Sequence, residues 1–243
     1  LNEFVPPRHT ARSSTGSLAK LLSWQLEAPP LDPKKDRLCH QADYVLRYMS
    51  GRTDVYTDWH NSLKLGYDVQ RLEWPSWLID CLDSVGLTAN VLPAHVVSPG
   101  ERIGVIAPDI AEYWNLPSST VLVGGTTDSN AAFIAATGGK NVDLGTAVTS
   151  LGSTLAIKQL SNEYVEDASR GVYSHRFPRL LSDDEQEAWL LGGASNVGCA
   201  ILRDQGFSND ELDELSRHID PATDSSLSYY PLIKPGERFP VAD

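Results

Sequence analysis

Cysteine is scarce in this sequence, and no apolar run is long enough to span a membrane. The 243 residues include three cysteines, Cys39, Cys81 and Cys199, which lie far apart and form no C-x-x-C pair. This spacing excludes a zinc ribbon or a dithiol motif and favours reduced, mostly buried thiols in an intracellular compartment. Every apolar run falls well short of the roughly 20 residues of a transmembrane helix. We therefore expect no membrane partner.

Basic residues are also outnumbered. Lys and Arg total 20 against 32 Asp and Glu, which gives a net charge of −12, and no basic cluster stands out. A protein that binds along a nucleic-acid backbone needs an excess of basic residues, so we expect no nucleic-acid partner. A phosphate-bearing small molecule is compatible with this charge, because its site can use backbone N–H groups and a metal ion.

The hydrophobic pattern that the sequence does contain is that of a globular α/β protein. Hydrophobic residues make up 41% of the chain, enough for the core of one large domain or two smaller ones. Helical stripes dominate before Gly138, and short strands between glycine turns dominate after it. The elements predicted in this second part are strands at 142–144, 148–151, 154–157, 171–175 and 188–191 and helices at 194–203 and 208–218. We therefore predict one domain over residues 1–138 and another over residues 139–243.

The most informative segment is residues 121–132, VLVGGTTDSNAA. Its pattern predicts a buried central strand, a glycine pair, a polar turn and a helix of small residues. In an open α/β sheet, ligands bind beyond the carboxyl ends of strands, so Asp128 would face a cleft. The helix N-terminus favours the ionised form of Asp128, as a general base requires. The alternative is an ordinary helix cap, unless Thr127 or Ser129 caps the helix instead.

Two later segments also join strands to glycine turns. Residues 144–157 enclose Gly152, Ser153 and Thr154, a turn that can offer N–H groups and hydroxyls to a phosphate or can be a plain hairpin turn. It is not a Walker P-loop, because no Gly-Lys-Ser/Thr follows at the right spacing. Residues 191–202 place a glycine pair between a strand and a helix, which indicates either a nucleotide cleft or tight strand–helix packing.

Residues 57–68 mix aromatic and polar side chains. Asp58, His60 and Asn61 flank Trp59 in the run TDWHN, and this composition is typical of a sugar site. A well-hydrogen-bonded loop has the same composition. The residues alone leave both interpretations open.

Taken in this order, the segments resemble the FGGY family of carbohydrate kinases. The resemblance runs from Ser17 to Asp243 and is closest to the D-ribulose/D-xylulose kinase branch of plants, algae and cyanobacteria. The motifs that carry it are SLAKLL at 17–22, TDWHN at 57–61, LGYD at 65–68, GGTTD at 124–128, TSLGST at 149–154, GVYSHR at 171–176 and GGASN at 192–196.

This resemblance implies an actin-like ATPase fold, in which parts of two ribonuclease-H-like α/β domains flank a cleft. It implies ATP-dependent phosphorylation of a ketose, with D-ribulose favoured and D-xylulose next. Mg²⁺ would arrive with ATP, and the chain itself would hold no metal site. The site residues it implies are Asp128 as the base, Gly152, Ser153 and Thr154 for phosphate, and Asp128, Thr127, Asp58 and His60 for the sugar.

The chain departs from the family in what it lacks. The family's first phosphate loop, an Asp-containing glycine hairpin, has no counterpart here, nor has its C-terminal adenosine motif, and Cys199 stands where a glycine is expected. We therefore expect an internal fragment of a longer kinase, inactive alone, in the cytoplasm or in a plastid if the source is a plant or alga. The alternative is a non-catalytic pseudokinase or interaction module with the same fold.

Overall fold

The computed structural model describes residues 1–27, 30–139, 142–177 and 187–240. Its helices are α1 (Ser17–Leu26), α2 (Gln41–Ser50), α3 (Trp59–Ser62), α4 (Ser76–Asp83), α5 (Pro108–Tyr113), α6 (Asp128–Thr137), α7 (Ala200–Asp204) and α8 (Asn209–Ser216). Its strands are β1 (Tyr56–Asp58), β2 (His95–Val97), β3 (Arg102–Val105), β4 (Val121–Val123), β5 (Ala147–Leu151), β6 (Leu155–Ser161), β7 (Tyr173–Arg176) and β8 (Trp189–Ser195). This mixture confirms the predicted α/β class. None of the described helices has the length and apolar character needed to cross a membrane.

Two small sheets lie before residue 139. β1 and β2 are parallel, whereas β3 and β4 are antiparallel. β4 is not the buried central strand that its apolar run predicts, because Leu122 is buried while Val121 and Val123 are 48% and 41% exposed. Among the described residues β4 pairs with β3 alone, so alternate side chains of the strand point to an open face.

The chain after residue 139 builds a four-stranded antiparallel sheet in the order β5-β6-β8-β7. β8 runs through the glycine pair that predicted a strand end, and the helix expected from residue 194 begins only at Ala200. The two glycines remain in the strand because neighbouring side chains cover them. A Cβ on Gly192 would lie 2.7 Å from the Lys158 side chain, and one on Gly193 would lie 2.3 Å from Phe239.

The strand predicted at residues 142–144 is absent from this sheet. Irregular chain leads there into a turn, where Gly145 has a φ of 88°. A left-handed conformation of this kind ends extended structure, and glycine adopts it without steric cost. The regular sheet therefore begins at β5.

The predicted domain boundary coincides with the end of α6. This helix ends at Thr137, and Gly138 follows it with a φ of 75°, the usual left-handed conformation after a helix. The two-stranded sheets precede this point and the four-stranded sheet follows it. The division into domains at residue 138 stays a prediction.

Hydrophobic clusters connect the two parts of the chain. One cluster joins α3 to β8 through Trp59 and Trp189. Another packs Phe133 of α6 against Leu160 of β6 and Leu190 of β8. Phe133 is fully buried, and burial of such a side chain contributes roughly 1.5–3 kcal/mol. This cluster packs α6 against the four-stranded sheet.

Candidate active site

The turn before α6 has little room for side chains. A Cβ on Gly124 would lie 2.4 Å from the carbonyl oxygen of Ser98, and one on Gly125 would lie 3.4 Å from Oδ2 of Asp58. The Gly124 N–H donates to the Glu101 carbonyl at 2.8 Å. Only glycine fits at residue 124, because the nearest atom belongs to the backbone and cannot rotate away. The close packing fixes where the chain enters α6.

Asp128 is the first residue of α6, and its side chain is exposed. The N-cap is Thr127, whose side chain makes no capping bond. The Asp128 carboxylate accepts a hydrogen bond from the N–H of Ser129 at 2.7 Å, and it has no other hydrogen bond among the described residues. Neither the Thr127 side chain nor the Asp128 side chain therefore caps the helix. Most of the hydrogen-bonding capacity of the Asp128 carboxylate is free for a ligand.

Two polar side chains near Asp128 are buried without partners. The Thr127 hydroxyl and both amide atoms of Asn130 find no hydrogen-bond partner in the described part of the chain. Asn130 is completely buried. Buried polar groups are almost always hydrogen-bonded, so unpartnered groups in the first turn of a helix are suited to a polar ligand. Asn130 did not emerge as a site residue from sequence reasoning, although it lies in the motif.

Lys158 places a buried amine close to Asp128. Its Nζ donates to Nδ1 of His175 at 3.1 Å and lies 5.2 Å from the centre of the Tyr173 ring. Burial, and to a smaller extent the charge of Lys64, lower the pKa of Lys158 to about 7, although the charge of Asp128 opposes the shift. Sequence reasoning missed this lysine. The signal was a single cationic residue within the apolar run of β6.

His60 ties the turn before α6 to β7. Its Nε2 donates to the carbonyl oxygen of Arg176 at 2.8 Å, so its Nδ1 accepts from the hydroxyl of Thr126 at 2.7 Å. Burial lowers the pKa of His60 to about 3, and the ring is therefore neutral at physiological pH. These contacts give His60 a positioning role, because both ring nitrogens are already bonded.

Asp58 organises the same region. Its carboxylate accepts from the N–H groups of His60 and Asn61 at 2.9 and 3.0 Å and from Nδ2 of Asn61 at 2.6 Å. Burial raises the pKa of Asp58, and the hydrogen bonds from Asn61 oppose this shift. Asp58 and His60 are only 1% and 2% exposed. The structure therefore packs both buried residues against the turn that precedes Asp128. Direct sugar binding by either residue stays a prediction.

The predicted phosphate turn joins β5 to β6. Gly152, Ser153 and Thr154 are all exposed, and the hydroxyls of Ser153 and Thr154 make no hydrogen bond within the described ranges. The N–H of Cys199 donates to the Gly152 carbonyl at 2.8 Å, which attaches the turn to the start of α7. This hydrogen bond fixes the turn to the start of α7, while Ser153 and Thr154 remain exposed to solvent. α6 packs against both β5 and β6, so the helix of Asp128 and the strands of this turn form one unit.

No group of three or more His, Cys, Asp or Glu side chains in the described residues could hold a metal ion. The polar atoms around Asp128 are mostly hydroxyl, amide and amine groups. Such a set does not form a resident divalent-metal site, which favours carboxylate oxygens.

Comparison with known proteins gives a clear result for the fold. No protein-family model matches the chain. Gluconate kinase from Lactobacillus acidophilus is 18% identical with a TM-score of 0.64, over 88% of this chain and 42% of that chain. Xylulose kinase from Rhodospirillum rubrum is 17% identical with a TM-score of 0.68, over 90% and 44%. Plasmodium falciparum glycerol kinase with ADP is 16% identical with a TM-score of 0.68, over 90% and 43%.

These solved structures are FGGY-type carbohydrate kinases. The chain spans less than half the length of each of them. Most of this chain nevertheless superimposes on them at TM-scores well above 0.5. The chain therefore has the actin-like ATPase fold of the sugar kinases. It covers about two fifths of the length of those kinases.

Proposed function

We propose that this chain is part of an FGGY sugar kinase that transfers the γ-phosphate of ATP to a ketose, with D-ribulose favoured and D-xylulose next. The observation that carries the proposal is the free carboxylate of Asp128 at the start of α6, beside the unpartnered side chains of Thr127 and Asn130. The strands on which α6 packs carry the exposed turn at residues 152–154. The candidate base and the candidate phosphate-binding turn thus belong to one packed unit of α6, β5 and β6.

The chemistry assigned to Asp128 is proton acceptance. Its carboxylate takes the proton of the sugar hydroxyl while that oxygen attacks the γ-phosphorus. The bond from the γ-phosphorus to the bridging oxygen breaks, ADP leaves, and the proton passes from Asp128 to solvent. The products are a sugar phosphate, ADP and one proton. Phosphoryl transfer of this kind depends on positioning and charge stabilisation more than on covalent help from the protein.

Gly152, Ser153 and Thr154 are assigned to the phosphates of ATP. An exposed turn with two hydroxyls and a glycine can approach phosphate oxygens closely. Mg²⁺ bound to ATP would neutralise part of the phosphate charge as the reaction proceeds. Thr127 is assigned to the sugar, because its hydroxyl is buried next to Asp128 without a partner. Asp58 and His60 are proposed to hold the turn that presents these groups.

Gly198 offers a test of the phosphate turn. A Cβ at this residue would lie 2.5 Å from the carbonyl oxygen of Ser153 and 2.6 Å from Cα of Thr154. Both are backbone atoms, so Gly198→Ala must displace the turn. We expect the variant to bind ATP at least about tenfold more weakly, which corresponds to about 1.4 kcal/mol, in isothermal titration calorimetry with the full-length protein.

A second glycine provides the control for this measurement. A Cβ on Gly104 would lie 3.2 Å from Nη2 of Arg52, the mobile end of a long side chain. Gly104→Ala should therefore leave ATP affinity unchanged. Equal affinities for wild type and Gly198→Ala would contradict phosphate binding by residues 152–154.

The activity is proposed for the full-length protein. Residues 1–138 and 139–243 would contribute parts of its two kinase domains, and the 243-residue chain alone would be inactive. This follows from the length of the solved structures, of which the chain covers 42–44%. The proposed compartment is the cytoplasm, or a plastid if the source is a plant or alga.

The sugar is tested by ADP release from the full-length protein with Mg²⁺ and ATP. We expect the highest kcat/KM with D-ribulose, a lower value with D-xylulose, and little turnover with glycerol or gluconate. Absence of turnover with every ketose and polyol would reject the kinase proposal. ATP or sugar binding without turnover would support the pseudokinase alternative instead.

A further inference from the structure

Ser17, His40 and Asp43 form a hydrogen-bonded chain remote in sequence from the proposed kinase site. Oγ of Ser17 lies 3.2 Å from Nε2 of His40, and Nδ1 of His40 lies 2.8 Å from Oδ2 of Asp43. Ser17 and His40 are partly exposed, whereas Asp43 is completely buried. This is a nucleophile, a base and a carboxylate in the order that serine hydrolases use.

The fold fixes the protonation pattern of His40. Asp43 lies in the first turn of α2, and its Oδ2 also accepts from the backbone N–H of His40 at 2.8 Å. His40 is also the N-cap of α2, and its Nδ1 lies 3.4 Å from Oγ1 of Thr57. Because a carboxylate cannot donate, the 2.8 Å contact with Oδ2 of Asp43 requires the proton on Nδ1, which donates to Asp43. Nε2 is then the acceptor for the Ser17 hydroxyl. A histidine in this tautomer is oriented to take the serine proton.

The first turn of α1 contains backbone N–H groups without acceptors. Ser17 is the first residue of α1, and the N-cap is Gly16, which has no side chain to cap the helix. The N–H groups of Leu18 and Ala19 have no acceptor among the described residues. Free N–H groups at a helix start can stabilise the oxyanion of a tetrahedral intermediate.

A cavity opens on the same residues. It has a volume of about 590 Å³, and both Ser17 and His40 line it. Its other walls are mainly apolar and include Leu38, Trp24 and Val45. A cavity of this size and character accommodates a small ligand with an apolar group. The serine thus faces a space in which an ester could be positioned.

We propose that Ser17, His40 and Asp43 form a second, hydrolytic site that acts on small carboxylic esters with an apolar acyl group. Oγ of Ser17 attacks the ester carbonyl, and Nε2 of His40 takes the hydroxyl proton and delivers it to the departing alcohol. Water then attacks the acyl-serine, losing its proton to His40, and Ser17 regains a proton as the carboxylic acid leaves. Ester and water are thereby converted to acid and alcohol with no other reactant. Asp43 orients His40, and its role is positioning.

The direct test is covalent labelling of the full-length protein with a fluorophosphonate, followed by peptide mass spectrometry, together with hydrolysis of p-nitrophenyl butyrate. We expect label on Ser17 and a loss of hydrolysis of about 100-fold or more in Ser17→Ala. Ser23→Ala is the matched control, because Ser23 lies in the same helix and its hydroxyl donates to Glu27. This control should keep full labelling and hydrolysis.

Two further variants separate catalysis from a structural contact between α1 and α2. His40→Gln should abolish both labelling and hydrolysis, and because His40 is the N-cap of α2 its melting temperature should fall slightly while the protein stays folded. Asp128→Asn should keep full ester hydrolysis, which makes this test independent of the kinase proposal. Absence of label on Ser17 in the folded protein would overturn the inference, and so would unchanged hydrolysis in Ser17→Ala.

Discussion

Asp128→Asn is expected to lower the rate of ketose phosphorylation by roughly 10²–10⁴-fold, the usual contribution of a positioned general base. Asparagine has the same shape but cannot accept the proton of the sugar hydroxyl. The only hydrogen bond of this carboxylate within the described part of the chain comes from the N–H of Ser129, at 2.7 Å, and an amide oxygen can accept the same bond. The variant should therefore fold and melt like wild type, with kcat reduced and the KM for ATP nearly unchanged.

The measurement is steady-state ADP release by the full-length protein with saturating D-ribulose. Asp109→Asn serves as the control, because Asp109 is another exposed acidic residue in the first turn of a helix, α5. That variant should keep wild-type turnover. Near-normal turnover in Asp128→Asn would exclude Asp128 as the base.

Lys158→Met is expected to stabilise the protein near neutral pH. Burial lowers the pKa of Lys158 from 10.5 to about 7, and a shift of this size corresponds to a cost on the order of 5 kcal/mol at pH 7. Methionine fills similar space without a charge. The variant leaves Nδ1 of His175 without its donor, which costs about 1–3 kcal/mol. The net gain in the free energy of unfolding should be about 2–4 kcal/mol.

The sign of the pH dependence follows from which state holds the proton. Between pH 7 and 10.5 the unfolded chain keeps a proton on Lys158, whereas the folded protein has released it. Wild-type stability therefore rises with pH in this window, by about 1.4 kcal/mol per pH unit from this residue. Below about pH 7 the contribution is constant. The advantage of Lys158→Met should be greatest at and below about pH 7 and should shrink toward pH 10.

Urea unfolding of the full-length protein at several pH values from 7 to 9.5 measures this effect. Lys34→Met is the control, since Lys34 is exposed in a loop. The free energy of unfolding of this variant should equal that of wild type at every pH. A stability difference between wild type and Lys158→Met that does not change with pH would show that Lys158 is not buried in its neutral form.

Local patterns in the sequence predicted the parts of the site that depend on neighbours along the chain. The run of glycines, hydroxyls and small residues at 124–132 predicted a turn entering a helix, and α6 begins at Asp128. The helix predicted from residue 208 starts with the capping-box pattern Ser-x-x-Glu, and α8 begins directly after Ser208, whose hydroxyl accepts from the N–H of Glu211 at 3.3 Å. Capping depends on residues three apart, so the sequence contains the whole signal.

Contacts between distant strands were not predictable in the same way. Lys158 is buried because Gly192 stands directly opposite it in β8, and this register depends on strand pairing across the sheet. The same pairing extends β8 through Gly193 to Ser195, where the local pattern predicted a helix. His60 presents a similar case, because its partner Arg176 lies 116 residues away in the sequence. A local sequence pattern contains no information on such distant contacts. It therefore could not decide between two interpretations of the same segment.

Phosphoryl transfer to a ketose is tested most directly by ³¹P NMR of the full-length protein with Mg²⁺, ATP and D-ribulose. The proposed function predicts that the γ-phosphate resonance of ATP decreases while a phosphomonoester resonance of equal intensity grows. Both changes should require the sugar and should be lost in Asp128→Asn. An unchanged ATP spectrum with D-ribulose, D-xylulose and other polyols, or release of inorganic phosphate alone, would contradict it.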